Sequence, residues 1–516
     1  MKCYIFSHKK VTSIRSPKMT SLDPPEGGWG WVIVIAAFTG FLISAGSLNS
    51  FGVLYVAFLD AFGESNTATA WINGIFNIFF ALSANYGVAL SKRFGHRKTV
   101  MAAGVLASIG ISISAFTTRL NHLFITYGIL TGIGLGLTYV VYIEIVSLYF
   151  NRRFKVAIGL AMAGTGAGQL FFSIVTQTLV DRYGWRGALI ILSGIVSHVC
   201  VVGALLRPLR VENYSDKHSK GRRSPKARMA EEHEYRNNNT DEKTTPLRPC
   251  ELTGSCESRG RKKYAITSTS NGTCPGNFKS CLFAVYDFSL FKNPTFVVLL
   301  LIIVGQTSGI VASSVHSVKR ARDFGISNIQ SAYVPAVMGL AQMIGRPGVG
   351  AVGHVTKLHP CVIYALCMFV GGISLIFSVY MRNFTGQIIF IAVFGVSTGG
   401  YVIHNPIVVK LLLGRENLGH TISFFNIIIG VWSLLFSPLG GWIRDTSKCY
   451  DGYFWLAGAA ELIAAVLGAV LPIVDRIGRR GDRKQEPEGC NACADMKTAA
   501  ESIREAVAIP EDSTAL

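Results

Sequence analysis

The sequence predicts an all-α integral membrane protein with twelve transmembrane helices in two six-helix halves. Three observations carry that reading. Apolar segments long enough for the ~20 residues that cross a hydrocarbon core recur along the 516-residue chain. They fall as six, a long polar break, and six more. Only 15% of residues are charged, against about 25% in soluble domains.

The first six segments lie near 31–57, 70–91, 99–117, 122–147, 156–180 and 187–207. The second six lie near 295–314, 331–353, 360–381, 386–410, 417–443 and 453–474. The expected organisation is a cytoplasmic N-terminal tail (1–28), an N-terminal half (29–207), a linker (208–285), a C-terminal half (286–474) and a cytoplasmic C-terminal tail (475–516). The break at 207–285 holds 16 Lys/Arg against 9 Asp/Glu, few aromatics and no sustained periodicity. That composition predicts a disordered cytoplasmic linker. The C-terminal tail reads likewise, with at most a short helix near 494–507. Residues 1–28 lack the apolar core of a cleavable signal peptide, so the first apolar segment is expected to act as its own insertion signal.

The net charge of +19 does not point to nucleic acid, because no basic face belongs to a soluble domain. The cations cluster in the tails, the linker and short loops. Lys92, Arg93, Arg97 and Lys98 follow the second segment; Arg152, Arg153 and Lys155 follow the fourth. The opposite loop at 58–69 has Asp60 and Glu64 and no cation. The positive-inside rule then puts both termini and the linker in the cytoplasm. Lys319, Arg320 and Arg322 argue the other way, from a loop expected outside. Asn213, Asn238 and Asn271 begin sequons in the linker, and Asn383 begins the one expected outside.

Composition and motifs also exclude classes. The eleven cysteines form no disulfide framework, and the single CxxC at Cys490 and Cys493 lacks the second ligand pair of a zinc site. HExxH and Walker patterns are absent from the sequence. His316, His354 and His404 are scattered singly. No enzyme, metal or cofactor is therefore expected.

Small residues four apart let helix backbones approach closely. Such stripes occur at Gly128, Gly132 and Gly136, at Gly164 and Gly168, and at Gly395 and Gly399. They read either as static packing or as surfaces along which helices slide. Two six-helix halves about a linker are the plan of transporters whose halves rock around a midplane site.

Three motifs carry a family resemblance. Glu26-Gly27-Gly28-Trp29-Gly30-Trp31 stands at the mouth of the first segment, with two rings suited to a membrane interface. Tyr149-Phe150, Arg152-Arg153, Ala157, Gly159, Ala161, Ala163 and Gly164 lead into the fifth. Trp185-Arg186-Gly187-Ala188 opens the sixth. These resemble the signatures of the monocarboxylate transporter family, a branch of the major facilitator superfamily. The loop Arg93-Phe94-Gly95-His96-Arg97-Lys98 resembles that superfamily's basic loop, with Lys92 in place of its usual acid.

The resemblance implies that Arg346, in Gln342-Met343-Ile344-Gly345-Arg346-Pro347, lines the substrate path and binds a carboxylate. A guanidinium stays charged and grips a carboxylate with two prongs; the bland alternative is snorkelling to headgroups. Proton-coupled members pair that Arg with an Asp one turn earlier and a Lys in the first helix. Gln342 and Asn49 stand there instead, which argues against lactate-type proton symport through those positions. Glu144, in the run Tyr142-Ile143-Glu144-Ile145-Val146, is either a substitute proton relay or a binder of a cationic substrate group, or else one arm of a gate salt bridge to Arg152 or Arg153 or a snorkelling carboxylate. Glu461 and Lys410 are weaker candidates. Asn73, Asn77 and Asn85 either line a cavity or bond between helices.

The expected function is alternating-access transport of monocarboxylates or related carboxylate-bearing solutes at the plasma membrane. A proton-independent carrier of neutral or zwitterionic metabolites is the main rival, and a transporter-like sensor or scaffold the remote one. Expected partners are a small organic solute, with or without protons, and the lipid bilayer. The resemblance adds a single-span glycoprotein chaperone as a candidate.

Overall fold

The computed structural model describes residues 27–150, 153–207, 286–356, 358–414 and 416–484, with side chains as far as Asp475. The expected linker and tails, apart from a few flanking residues, lie outside the described residues. So do Arg152 and the side chain of His354. Among the described residues every regular element is helical. Helices satisfy their backbone groups internally, the condition that hydrocarbon imposes.

The N-terminal block comprises α1 (Trp29–Asn49), α2 (Phe51–Phe62), α3 (Asn66–Phe94) and α4 (His96–Ser114). It continues with α5 (Leu120–Tyr149), which loosens into a π turn at Phe124–Thr131, and α6 (Phe154–Leu205). The C-terminal block opens with a 3-10 turn, Phe288–Lys292. Then come α7 (Pro294–Asp323), α8 (Asn328–Thr356), α9 (Pro360–Phe377), α10 (Phe384–Leu412), α11 (Leu418–Ser447) and α12 (Asp451–Lys484). Nine helices among the described residues are long and apolar enough to cross a membrane.

Helix starts follow local chemistry. Ser65 caps α3 by accepting from the Ala68 N–H, and Asn293, ahead of Pro294, accepts from Thr295 at 2.9 Å. Asn383 caps α10, accepting from Gly386. Each supplies an acceptor to otherwise orphaned N–H groups. In the turn before α7, the Ser289 hydroxyl and N–H hold the Asp287 carboxyl below the usual carboxylate range.

Two departures from the segment pattern matter. The expected 31–57 segment is interrupted at Ser50, where Asn49 ends α1. Its counterpart in the second block, α7, is interrupted by a π turn at Ala312–His316. The interruptions meet: a Cβ on Gly52 would lie 2.4 Å from the Ser314 carbonyl oxygen. The expected 156–180 and 187–207 segments run together as α6, bent where Gly184 adopts φ 68° and ψ 172°.

The glycine stripes are packing surfaces. Gly128, Gly132 and Gly136 of α5 meet Ile75, Phe76 and Phe80 of α3. Gly164 and Gly168 of α6 meet the Phe38 and Leu42 carbonyls of α1. Gly395 and Gly399 of α10 meet Met338, Ala341 and Gln342 of α8. The outward faces keep large apolar side chains exposed, Phe116 and Ile463 among them.

Helix direction puts Arg207 and Tyr286 at one end of the bundle, the linker end. There the signature tryptophans tie the N-terminal block together. Trp29 donates to the Leu205 carbonyl and lies under the Arg207 guanidinium at 4.5 Å. Trp31 meets Phe150 edge-on at 5.2 Å. Gly28, at φ 55°, takes a backbone shape that a side chain disfavours. At the far end, Arg186 stacks over Trp185 at 4.4 Å and donates to the Thr117 carbonyl. Trp185 in turn meets Phe58 and Phe62.

Candidate functional site

Arg346 lies deep along α8, where that helix packs against α6 of the other block. One guanidinium nitrogen, Nη1, donates to the Met162 carbonyl at 2.6 Å and to the Thr165 hydroxyl. Its Nε is buried without an acceptor. Among the described residues no carboxylate lies within ion-pair distance of it. Tyr139 of α5 is within its electrostatic reach. Gly399 of α10 presses on the Gln342 carbonyl and the Arg346 N–H, so the backbone that aims the guanidinium is held from behind.

Gln342, one turn before Arg346, is buried. Gln169, one turn beyond Thr165 on the same face of α6, is fully buried, and neither its amide oxygen nor its nitrogen has a hydrogen bond. Where Gln169 faces α8, a Cβ on Gly339 would come to 2.9 Å from its own Cβ. Asn49 is half-buried at the α1 break. Among the described residues no hydrogen bond links it to Arg346 or Gln342. The junction of α6 and α8 thus holds a cation without an anion and a carboxamide without a partner. Both ask for a polar guest; a guanidinium with free N–H groups suits a carboxylate.

Glu144 belongs to a separate cluster at the linker end. Its carboxylate accepts from the Ser91 hydroxyl at 3.0 Å, meets His96 Nε2 at 3.3 Å and lies 3.8 Å from Lys92 Nζ. Ser91 and Lys92 belong to the last turn of α3, and His96 opens α4. Arg153 opens α6 as its exposed N-cap residue. The asparagines of α3 bond between helices: Asn73 donates to Ser437, and Asn85 donates to Tyr286 at 2.9 Å and to the Ser423 carbonyl. Asn77 instead donates to the Asn73 carbonyl within α3. Lys410 is exposed near the end of α10.

The far end is joined by groups that sequence reasoning did not single out. The Asp445 carboxylate of α11 accepts four hydrogen bonds, from the backbone and side chains of Asn66 and Thr67 at the start of α3. Tyr55, Tyr450 and Tyr453 ring His316, whose Nε2 lies 3.0 Å from the Ser437 carbonyl.

Lys319, Arg320 and Arg322 are not in a loop, as the sequence suggested; they form the last turns of α7. Lys319 pairs with Asp323 at 2.8 Å, Arg322 with Asp60 at 3.2 Å, and Arg320 lies 3.8 Å from Asp451. Arg320 also stacks over Phe454 at 4.1 Å and is 1% exposed. Pairing and burial explain why three cations can end an apolar helix.

Comparison with known proteins follows the same lines. The family model of the Major Facilitator Superfamily matches residues 36–436, with a second match over 298–509. Monocarboxylate transporter 12 of Xenopus laevis is 29% identical over 473 residues, spanning 90% of this chain and 95% of that protein. Monocarboxylate transporter 12 of Homo sapiens is 29% identical, over 91% of this chain and 85% of its own. Monocarboxylate transporter 13 of Rattus norvegicus is 28% identical, over 87% and 90%.

Proposed function

This chain belongs to the Major Facilitator Superfamily, and from that membership we propose that it carries a small carboxylate-bearing solute by alternating access. Membership and relatives make it a multi-pass membrane transporter rather than an enzyme. The finer reading rests on one observation: Arg346 is a half-buried guanidinium whose Nε is enclosed without an acceptor and which has no acid beside it. A buried charge is normally paired, and an ionisable group within a span marks a substrate or ion path.

In this reading Arg346 anchors the carboxylate. Gln342, Gln169 and Thr165 supply neutral polar contacts, and Asn49 joins them from the α1 break. Discontinuous helices commonly border such sites. The pocket is then lined by amides rather than by an Asp and a Lys. That favours solutes with further polar groups, such as amino acids or creatine-like and carnitine-like acids, over lactate alone. A proton-independent carrier of zwitterions is the second reading, favoured by the same neutral Gln342 and Asn49.

The twelve-pass arrangement takes α1 and α2 as one pass, α6 as two passes about Gly184, and counts α4 and α8. The two blocks are then its halves. Both termini are assigned to the cytoplasm and the chain to the plasma membrane, with a single-span glycoprotein chaperone as a candidate partner. The Asp445 latch would close the outer end. Glu144 serves in this scheme as an inner-end tie to Lys92 and His96.

The test is uptake of labelled lactate, pyruvate, amino acids, creatine and carnitine by oocytes expressing wild type or Arg346→Ala, with surface protein measured. Uptake of one carboxylate by wild type, lost in the variant at equal surface level, supports the reading. Equal uptake by both overturns the anchor. A scaffold would show no uptake by either.

A further inference from the structure

We propose that Glu461 is a proton-binding site inside the C-terminal block, distinct from the Arg346 junction and from the Glu144 cluster. Glu461 lies midway along α12 and is 0% exposed. Neither carboxyl oxygen has a hydrogen-bond partner. The room for it is made by two glycines on other helices. A Cβ on Gly309 of α7 would come to 2.3 Å from Oε2, and one on Gly371 of α9 to 2.5 Å from Oε1. The pocket is therefore shaped to the carboxyl; any larger residue at either position would occupy its place.

The acids elsewhere in the described residues have different surroundings. Glu144, Asp60, Asp323 and Asp451 face cations, and Asp445 receives four donors. Glu461 has neither. An ionised carboxylate without donors or counter-charge is too costly to bury, and such a group takes up a proton instead. The titratable group within its reach is neutral, Tyr401 on α10, which in turn neighbours Tyr364 and Cys367 on α9; Gly309 and Gly371 are the contacts from α7 and α9. Between Asp451 and Asp475, α12 carries no other carboxyl, amine or imidazole.

A polar line continues from this point. Tyr401, which is fully buried, lies within electrostatic reach of both Glu461 and Tyr364. Tyr364 donates to Asn405 at 2.5 Å, and Gln306 bonds to both, at 2.8 Å to Tyr364 and 3.2 Å from Asn405. The line runs from the centre of the block towards the linker end. When water reaches it, the carboxyl O–H bond breaks, the electron pair stays on Glu461 and the proton passes to that water. On re-closure the carboxylate takes a proton back. What this exchange drives depends on the transport reading above; the existence of the site does not.

Infrared spectroscopy of the purified full chain in lipid tests it without any substrate. The expected result is a neutral carboxylic acid C=O band at neutral pH that Glu461→Gln removes and Glu144→Gln leaves. The band should also shift in D2O, because the proton exchanges with water. Gly371→Ala keeps the acid but crowds it, and should move the band. Helix content by circular dichroism checks that each variant is folded. A band insensitive to Glu461→Gln, or one that never shifts in D2O, overturns the proposal. Loss of uptake in Arg346→Ala bears on the anchor alone, so the two ideas fail separately.

Discussion

The Asp445 carboxylate takes two hydrogen bonds from Asn66, one from its backbone N–H at 3.1 Å and one from its side-chain amide at 2.7 Å. Asn66 is the first residue of α3, and Asp445 sits near the end of α11. A residue of one block thus caps a helix of the other. The α3 dipole adds to the attraction, since helix N-termini favour anions.

Asp445→Ala should therefore loosen the far end. Hydrogen bonds to a charged group contribute about 1.5–3 kcal/mol each, so losing even one shifts a closed-to-open ratio by roughly tenfold or more. A cysteine placed at Ser437, which is buried behind this latch, reports the change. Its reaction with a membrane-impermeant thiol reagent should speed up in the variant. An unchanged rate would mean that the latch does not hold that end shut.

Arg346→Ala should remove anion affinity. Truncating one member of a buried charge pair costs about 2–5 kcal/mol, or roughly thirtyfold and upward in apparent KM. Arg346→Lys should recover little, because an ammonium cannot reach Met162, Thr165 and a carboxylate with the same planar fork. Concentration-dependent uptake distinguishes the three proteins. Gln169→Ala should weaken uptake less, by about tenfold or under, since only neutral hydrogen bonds are lost.

Glu144→Gln should leave uptake within about twofold and stability within about 1 kcal/mol, the usual worth of exposed ion pairs. Its partner Lys92 is 69% exposed. Uptake measured at acidic and neutral external pH makes the comparison. Loss of pH dependence in this variant would restore Glu144 as the relay and remove it from the tie role.

Gly52→Ala should destabilise the chain, because its methyl group would meet the Ser314 carbonyl oxygen at 2.4 Å. Overpacking of this kind costs about 1–3 kcal/mol. A lower apparent Tm in detergent, followed by gel filtration, is the expected reading.

Much of this was legible from residues alone. Arg346 stood out as a charge in an apolar run, and the double-glycine tryptophan motif marked the family. Hydropathy failed at Arg320 and Arg322, because their partners Asp451 and Asp60 lie far away in sequence; Lys319 pairs locally with Asp323. It also could not find the break at Ser50. Serine is common in spans, and the interruption depends on α7 packing against it. Gln169 was passed over as one neutral residue among glycines and leucines. Its signal was there: it is one of only two carboxamides in the segment 156–180. Nothing local to Asp445 in the sequence betrays its partners on α3.

The contact between Gly166 and Gly339 has a mechanical consequence. A Cβ on either would fall 2.5 Å from the other's carbonyl oxygen, so two backbones cross here with no side chain between them. Such a crossing is a fulcrum. Neither block can slide far along the other at that level, but each can tilt about it. Pivoting at this crossing predicts that a tilt separating Asn66 from Asp445 moves the opposite rims in the other sense, which spin labels at the two ends would report as distance changes of opposite sign.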